Sequence, residues 1–196
     1  MNNYYDILLF LHVISFVFMS VPLFNLIVVN ERVALGPAFN YSVDRYMENI
    51  IKHGSYRCFV FQLTILVTGL LLLVTGPLGI AKLFSNWILI TKTIWLFVLT
   101  GMLSYVHFYI QPKIESLMTE FGPESKIPDD LVARLKPFRV RRKKMATFCL
   151  FSVISLVILG LQVYDRFDSV LTIILIALAG LFSLRVNKTL IRFGWL

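Results

Sequence analysis

The sequence predicts an all-α integral membrane protein, a bundle of five transmembrane helices with the N-terminus outside and the C-terminus inside. Hydrophobic residues make up 58% of the 196 residues, charged residues only 15%, and the mean hydropathy is +0.78. Soluble domains carry about 25% charged residues, so a water-soluble core is excluded. The few charges also lie between apolar runs that are long enough to cross a bilayer, which is therefore the first predicted partner.

Five apolar segments predict the spans of one transmembrane domain that covers residues 1–196. A span needs about 20 mostly apolar residues. Four segments meet this requirement, and the fifth is shorter. Because the fifth follows the fourth almost directly, the two are predicted to form a tight antiparallel hairpin that adds a C-terminal helix to a four-helix core. The predicted spans are residues 7–29, 58–78, 87–110, 146–164 and 167–184.

Lysine and arginine residues set the predicted orientation, because positive charge in short connections marks the cytoplasmic side. Sixteen of the 19 lie in the cytoplasmic connections 30–57 and 111–145 and in the C-terminal tail, whereas Lys82 and Arg166 lie on the opposite side. Five spans keep the basic tail inside, and four would place it outside. The net charge of +8 therefore reports topology, and no nucleic-acid partner is predicted.

Both cytoplasmic connections are predicted to contain short helices. Residues 42–53 separate apolar from charged side chains, as an amphipathic helix on a membrane surface does, and this helix is expected to lead into the second span. In the solvent-facing second connection, residues 128–130 open a short capped helix, and Pro137 interrupts the rest of that connection. We expect the basic run 139–144 to orient the fourth span and to hold anionic lipid.

Three ionisable side chains lie within the predicted spans, namely His12, Lys92 and His107. Such groups are unfavourable at membrane depth, so each needs a partner or a function. His12 and Lys92 each lie six residues into a helix, roughly 9 Å below the outer surface. His107 lies roughly 7 to 8 Å from the inner surface, and His53 lies at the cytoplasmic interface. His12 and Lys92 therefore match in depth.

These depths limit how a haem can be held. The two axial ligands of one haem iron face each other at nearly the same level, whereas His12 and His107 differ in depth by more than about 10 Å. Both are candidate metal ligands, in different sites. His12 and Lys92 form a candidate outer pair, in which Lys92 either ligates or pairs with an anionic group such as a propionate. His107 and His53 form a candidate inner pair if helix tilt removes their offset.

Ordinary structural roles remain alternatives for these residues. A histidine near a helix end commonly bonds to a carbonyl, and Lys92 can extend along its stem to the surface. A copper site would need clustered methionine and cysteine side chains, so the absence of a common depth for the sulfur residues ranks copper lowest. The sulfur residues considered are Met19, Cys58, Met102, Met145 and Cys149.

A family resemblance rests on three segments in the first half of the chain. They read LHVISFVFMSVPLFNLIVVNE, YMENIIKH leading into QLTILVTGLLLL, and WILITKTIWLFVLTGMLSYVHFYIQP. From Leu11 to about Pro112 the chain resembles the small helical membrane proteins grouped around HemJ-type protoporphyrinogen oxidase and the CopD-like copper-resistance proteins. His12 and Lys92 match a functional histidine and lysine of the HemJ-type pattern, and the Tyr105-x-His107 ending of the third helix is similar to an aromatic-histidine element there.

The resemblance implies a membrane protein that binds haem b and takes part in redox chemistry. One role it implies is HemJ-like oxidation of protoporphyrinogen IX in a bacterial inner membrane, with electrons passed to the respiratory chain. In that role His12 is an axial ligand or a proton acceptor, and Lys92 holds a carboxylate of substrate or haem. His53 and His107 are further cofactor-binding candidates. The implied partners are a tetrapyrrole or quinone, other membrane redox subunits, or a second copy of the chain.

Two other functions stay open beside the oxidase, and whether the protein is an enzyme is open with them. The first is a non-catalytic haem-bearing electron-transfer or structural subunit of a respiratory complex, and the lower-ranked second is a copper-handling membrane protein. The chain also departs from the HemJ pattern. The interval from Lys92 to His107 is about one helical turn longer, no acidic-x-Pro element opens the next helix, and the C-terminal helix is additional.

Overall fold

The computed structural model describes residues 3–35, 40–120, 130–163 and 166–188, and within these ranges the only regular secondary structure is helical. Five helices are long and apolar enough to cross a membrane, which confirms the predicted fold class. The helices are α1 (Asn3–Leu35), α2 (Tyr41–Thr75), α3 (Lys82–Ser85), α4 (Trp87–Tyr105), α5 (Gln111–Thr119), α6 (Leu131–Leu161) and α7 (Ser169–Lys188), and a π-helical segment (Val106–Ile110) joins α4 to α5.

Polar side chains fix the beginnings of three membrane helices. Asn40 and Asn86 each accept a hydrogen bond from a backbone N–H in the first turn of α2 and α4, at 3.1 and 3.0 Å. The Asp168 carboxylate accepts two such bonds at the start of α7, at 2.9 and 3.4 Å. Caps of this kind each contribute about 1 kcal/mol. Between α2 and α3, Gly79 has a φ of 75°, which glycine adopts without strain.

The third membrane-spanning helix is continuous from Trp87 to Thr119, and its π-helical segment has a local cause. Pro112 has no N–H with which to bond the carbonyl of Phe108, and its ring would clash with that carbonyl in a regular α-helix. A wider π turn just before the proline relieves this clash. The segment carries His107, whose side chain is buried.

Helices α2 and α6 begin long before their apolar stretches. Helix α2 starts at Tyr41, so the predicted surface helix over 42–53 and the second span are one helix. Helices α5 and α6 occupy most of the described part of the connection predicted over 111–145. Pro137 lies inside α6 and does not interrupt it. Residues 128–129, predicted to open a helix, and the tail after Lys188 lie outside the described residues.

A second apolar core explains why residues 111–120 and 130–145 do not form a solvent-facing loop. Apolar side chains from the π-helical segment, α5 and the first turns of α6 pack together at this end of the bundle, and each is nearly or fully inaccessible to solvent. The i, i+4 spacing of four of them forms a stripe along the helix, as core-facing helices show. The buried members are Val106, Ile110, Ile114, Met118, Leu131 and Leu135.

Helix α6 is the central helix of the bundle. In its most apolar stretch 56% of residues are buried, compared with 11 to 28% in the corresponding stretches of the other four membrane helices. Helix α7 packs against α6, where the Thr172 hydroxyl donates to Gln162 Oε1 at 3.1 Å. Large apolar side chains such as Phe10, Phe97 and Ile173 are exposed on the outer helices. Because the helices span a membrane, these side chains contact lipid.

The two ends of the bundle differ in chemistry. At one end of the bundle α2 ends at Thr75, and α4 begins just after its capping residue Asn86. We call this end the Asn86 end. The opposite end contains the first turns of α2 and α6 and buries the side chain of Arg142, and we call it the Arg142 end. The main core between the two ends is formed by α1, α2, α4 and α6.

Candidate functional site

The structure brings His12 and Lys92 together in the half of the bundle nearer the Asn86 end. His12 lies on α1 and Lys92 on α4, and the two side chains are close enough to interact electrostatically. Two glycines leave room for them. A Cβ atom on Gly69 of α2 would lie 3.2 Å from His12 Cε1, and a Cβ atom on Gly160 of α6 would lie 3.4 Å from Lys92 Nζ. Four helices therefore form one site, which we call the His12/Lys92 site.

The donors and acceptors around His12 favour one tautomer of its ring. His12 Nδ1 lies 3.0 Å from the hydroxyl oxygen of Thr68, and that hydroxyl donates its one proton to the carbonyl of Thr64 at 2.6 Å. With that proton on the Thr64 carbonyl, the Thr68 oxygen accepts from the ring, an arrangement in which Nδ1 carries the proton and Nε2 has a lone pair. Within the described residues Nε2 has no hydrogen-bond partner. An imidazole held in this way can bind a metal ion or accept a proton.

Lys92 supplies a positive charge to the same site. Its side chain is half-buried, and no carboxylate of the described residues lies within ion-pair distance of its ammonium. An ammonium at membrane depth is unfavourable unless an anion compensates it. The His12/Lys92 site thus combines a cation with a free imidazole lone pair, a combination that suits a ligand carrying a carboxylate.

The residues of this site fit haem b, the group that the resemblance implies. His12 Nε2 is a suitable axial nitrogen, Thr68 makes the hydrogen bond that orients a ligating ring, and Lys92 can hold a propionate. Both His12 and Lys92 are half-buried, so the site is open at the surface of the bundle. The central cavity of about 40 Å³ is too small for a macrocycle, because pockets for ligands of this class measure about 300–1,000 Å³.

His107 lies in a separate aromatic cage. Its ring is 8% exposed and makes edge contacts with the rings of Tyr56, Phe59 and Phe108, with centroid distances of 4.7, 5.7 and 4.8 Å. The Nδ1 atom is buried without a hydrogen-bond partner among the described residues. Ring packing rather than hydrogen bonding therefore fixes the orientation of His107.

The three histidines lie apart from one another. The contacts of His107 and His12 on α2, at Phe59 and Thr68, are nine residues apart, a rise of about 13 Å, so the two rings stand at different levels. His53 is exposed, and its Nδ1 donates to the carbonyl of its own helix at Asn49, at 2.8 Å. No hydrogen bond or ring contact joins His53 to His107 in the described part of the chain, and their pairing at one cofactor stays a prediction.

A buried ion network at the Arg142 end is absent from the sequence predictions. Arg142 binds Glu48 in a two-pronged pair, with Nη1 donating to Oε2 at 2.6 Å and Nη2 to Oε1 at 3.0 Å. Arg139 donates to Asp44 at 3.3 Å and pairs with Glu48 at 3.1 Å. Gln111 accepts from Arg142 at 2.7 Å. All five side chains are buried, so the network fastens α2, α5 and α6 to one another.

The network corrects two predictions. The charged side of the predicted surface helix, including Asp44 and Glu48, faces the protein interior. Arg139 and Arg142 of the basic run bind these acids rather than lipid, although Lys144 of the same run is exposed. A signal was present, because acids four residues apart and arginines three residues apart each lie on one helix face. Two such faces of opposite charge predict a pair of contacting helices.

The sulfur side chains correct a third prediction. The predicted spans place Cys58 and Met145 near a membrane edge, apart from the other sulfur residues. Since α2 and α6 begin at Tyr41 and Leu131, both residues lie well inside their helices. Five sulfur side chains consequently line the same central cavity, and they are Met19, Cys58, Met102, Met145 and Cys149.

In residues 3–35, 40–120, 130–163 and 166–188, no three His, Cys, Asp or Glu side chains converge as a metal-binding group. Comparison of the chain with protein-family models, curated proteins and solved structures finds no match. The resemblance to the HemJ-type proteins therefore stays a prediction. The geometry of the His12/Lys92 site is the evidence from which a function can be argued.

Proposed function

We propose that this integral membrane protein binds a carboxylate-bearing tetrapyrrole, haem b or protoporphyrinogen IX, at the His12/Lys92 site and serves redox chemistry there. The observation that carries the proposal is the convergence of a free imidazole lone pair and an ammonium without a carboxylate partner at one level of the bundle. A tetrapyrrole offers a partner to each group. Lys92 can bind a propionate of either tetrapyrrole. His12 can bind the iron of haem or accept a proton from the ring of the porphyrinogen.

The roles of the residues follow from their chemistry. Lys92 binds a propionate through a charge-assisted hydrogen bond and so sets the orientation of the ligand. Thr68 keeps the proton of His12 on Nδ1, which leaves Nε2 to ligate iron or to accept a proton from the porphyrinogen. A bound haem supplies the one-electron chemistry. When porphyrinogen occupies the site instead, its hydrogens leave as protons, which His12 Nε2 accepts, and as electrons, which pass to a membrane quinone or an oxidase.

The proposal includes an orientation and a location. The Arg142 end faces the cytoplasm, because the connections richest in lysine and arginine are at that end. The His12/Lys92 site then lies in the outer half of the membrane, which we propose to be a bacterial inner membrane. Electron partners in this setting are a membrane quinone, other redox subunits or a second copy of the chain.

A non-catalytic haem-bearing subunit of a respiratory complex is the second candidate function. It is favoured by the open position of the site, since His12 and Lys92 are half-buried and the central cavity of about 40 Å³ cannot enclose a tetrapyrrole substrate. An electron carrier needs a ligated haem but no enclosed substrate pocket. The same two residues serve this function, with Lys92 binding a haem propionate.

Complementation separates the two functions. The chain is expressed in a strain that lacks its own protoporphyrinogen oxidase, and its abundance in the membrane is measured by immunoblot. Restored porphyrin oxidation and growth support the oxidase. A well-expressed protein that restores neither contradicts the oxidase and leaves the haem-bearing subunit.

Replacing Lys92 by methionine should weaken tetrapyrrole binding by roughly 10- to 100-fold, because a hydrogen bond to a charged group contributes about 1.5–3 kcal/mol. Methionine keeps the length of the side chain and removes the charge. Haem titration of the purified protein measures the dissociation constant, and Lys92→Arg should retain most of the affinity. Lys82→Met is the matched control, since Lys82 is an exposed lysine at the same end. Equal affinities for Lys92→Met and the wild type would contradict the assigned role.

A further inference from the structure

We propose that four side chains at the Arg142 end bind the headgroup of an anionic phospholipid. They are Tyr105, Tyr109, Lys113 and Arg141, and we call them the Tyr109 cluster. Two of the four are cations, and the other two are aromatic rings on which these cations are stacked. The cluster is distinct from the His12/Lys92 site, so the proposal does not rest on tetrapyrrole binding.

The side chains of the Tyr109 cluster form a continuous stack. The rings of Tyr105 and Tyr109 have centroids 5.0 Å apart and planes inclined by 24°. Lys113 Nζ lies 3.9 Å from the ring centroid of Tyr109, and the guanidinium carbon of Arg141 lies 5.0 Å from that of Tyr105. Both cations also interact electrostatically with the Tyr109 side chain. Cation–π contacts thus hold two positive charges beside one phenol.

The spacing of the residues along the chain explains the stack. Tyr105, Tyr109 and Lys113 follow one another at intervals of four residues, which places them on one face of the third membrane-spanning helix. Arg141 comes from α6. It is the only member of the cluster that belongs to the basic run 139–144, so the hydropathy and charge pattern of that run does not predict the site.

The carboxylates near the Tyr109 cluster are engaged elsewhere. Glu48 is buried in the ion network of the Arg142 end, and Glu115 pairs with Lys52 at 3.1 Å. No carboxylate of the described residues lies within ion-pair distance of Lys113 or Arg141. The cluster therefore presents two positive charges without a carboxylate partner, and an anion from outside the chain would compensate them.

The position of the cluster identifies the anion as a lipid headgroup. Lys113 is the first charged residue after the apolar stretch of the third membrane-spanning helix, and Arg141 comes shortly before the apolar stretch of α6. Tyrosine rings and basic side chains are typical of this level of a membrane. Arg141 is exposed, and Tyr109 is 46% exposed, so a lipid can reach both. Its phosphodiester accepts hydrogen bonds from the ammonium and the guanidinium, while its acyl chains contact the apolar part of the helices.

Native mass spectrometry of the full-length protein tests the proposal. The protein is delipidated in detergent and titrated with phosphatidylglycerol or with phosphatidylcholine of the same acyl chains. We expect about one phosphatidylglycerol per wild-type chain, bound at least about tenfold more tightly than phosphatidylcholine. Equal binding of the two lipids would overturn the proposal. Displacement of phosphatidylglycerol by an equal concentration of inorganic phosphate would also overturn it, because the ligand would then be a soluble phosphate.

Paired substitutions separate a site from general attraction to the basic end of the protein. The double variant Lys113→Gln with Arg141→Gln should bind phosphatidylglycerol roughly 10- to 30-fold more weakly. The matched control is Lys136→Gln with Arg185→Gln, which removes one exposed lysine and one exposed arginine outside the cluster. It should bind like the wild type, because distant exposed charges are screened. Equal losses in the two double variants would overturn the proposal.

Substitution of Tyr109 tests whether the ring positions the charge. Tyr109→Leu keeps both cations but removes the ring on which Lys113 is stacked, and it should weaken phosphatidylglycerol binding about three- to tenfold. Tyr109→Phe keeps the ring and should bind nearly as the wild type does. Because this side chain is exposed, both variants should fold, which gel filtration checks. If Tyr109→Leu binds the lipid as tightly as the wild type, the cluster is not the site and the proposal is wrong.

Discussion

Replacement of Arg142 by methionine should destabilise the protein by about 3 kcal/mol, one of the two largest effects that we expect from a single substitution. Methionine fills much of the same volume, so the loss reports the charge rather than a void. Glu48 would keep Arg139 but lose its two-pronged partner in a buried position. Breaking a buried ion pair in this way costs about 3–5 kcal/mol. The remaining contact with Arg139 places the expected value at the lower end, to be measured by reversible unfolding in detergent.

Two further variants give this prediction its controls. Lys144→Met removes an exposed cation from the same helix, two residues away, and should change stability by less than about 0.5 kcal/mol. The double variant Glu48→Met with Arg142→Met removes both charges, leaves Arg139 to pair with Asp44, and should recover most of the lost stability. If Arg142→Met behaves like Lys144→Met, the network does not hold the helices together as described.

Replacement of His12 by alanine should weaken haem binding by at least about 100-fold, because it removes the proposed axial nitrogen. Loss of a group that only orients a ligating histidine costs about 10- to 100-fold, and loss of the ligand itself should cost more. Replacing Thr68 by valine tests the smaller effect, which is the loss of the group that orients His12. Valine keeps the shape of threonine but cannot accept the hydrogen bond from Nδ1. Haem titration of each purified variant gives the dissociation constants.

The other histidines provide the comparison for His12. His53→Ala should bind haem as the wild type does, because the ring is exposed and bonded to its own helix. His107→Ala removes a ring from an aromatic cage at a different level and should also leave the His12/Lys92 site loaded. Haem that persists in His12→Ala and disappears in His107→Ala would move the cofactor site to the aromatic cage.

The number of membrane helices follows from the sequence because the energy of apolar burial in a bilayer depends on local composition. The helix ends do not follow in the same way. Helix α2 continues from its apolar part back to Tyr41 because Asp44 and Glu48 find buried arginine partners on α6. A hydropathy pattern describes one segment at a time, and it cannot show that charged faces on two distant segments satisfy each other.

The candidate site can be predicted from the sequence only in part, for a similar reason. Helical rise alone predicts that His12 and Lys92 match in depth, and the structure brings their side chains within electrostatic range. The supporting groups depend on how helices pack. Thr68 fixes the ring by a bond across α1 and α2, and Gly160 leaves space for the ammonium of Lys92 from a helix far along the chain. Neither relation leaves a periodic signal in the sequence.

The central claim is that His12 and Lys92 form a tetrapyrrole site, and the visible difference spectrum tests it most directly. The full-length protein is expressed with ample haem, purified in detergent, and compared in its oxidised and reduced states, with pyridine extraction to identify and count the haem. We predict a b-type spectrum with about one haem per chain at this site, lost in His12→Ala and kept in His53→Ala. A colourless wild-type protein, or a spectrum unchanged by His12→Ala, would contradict the account.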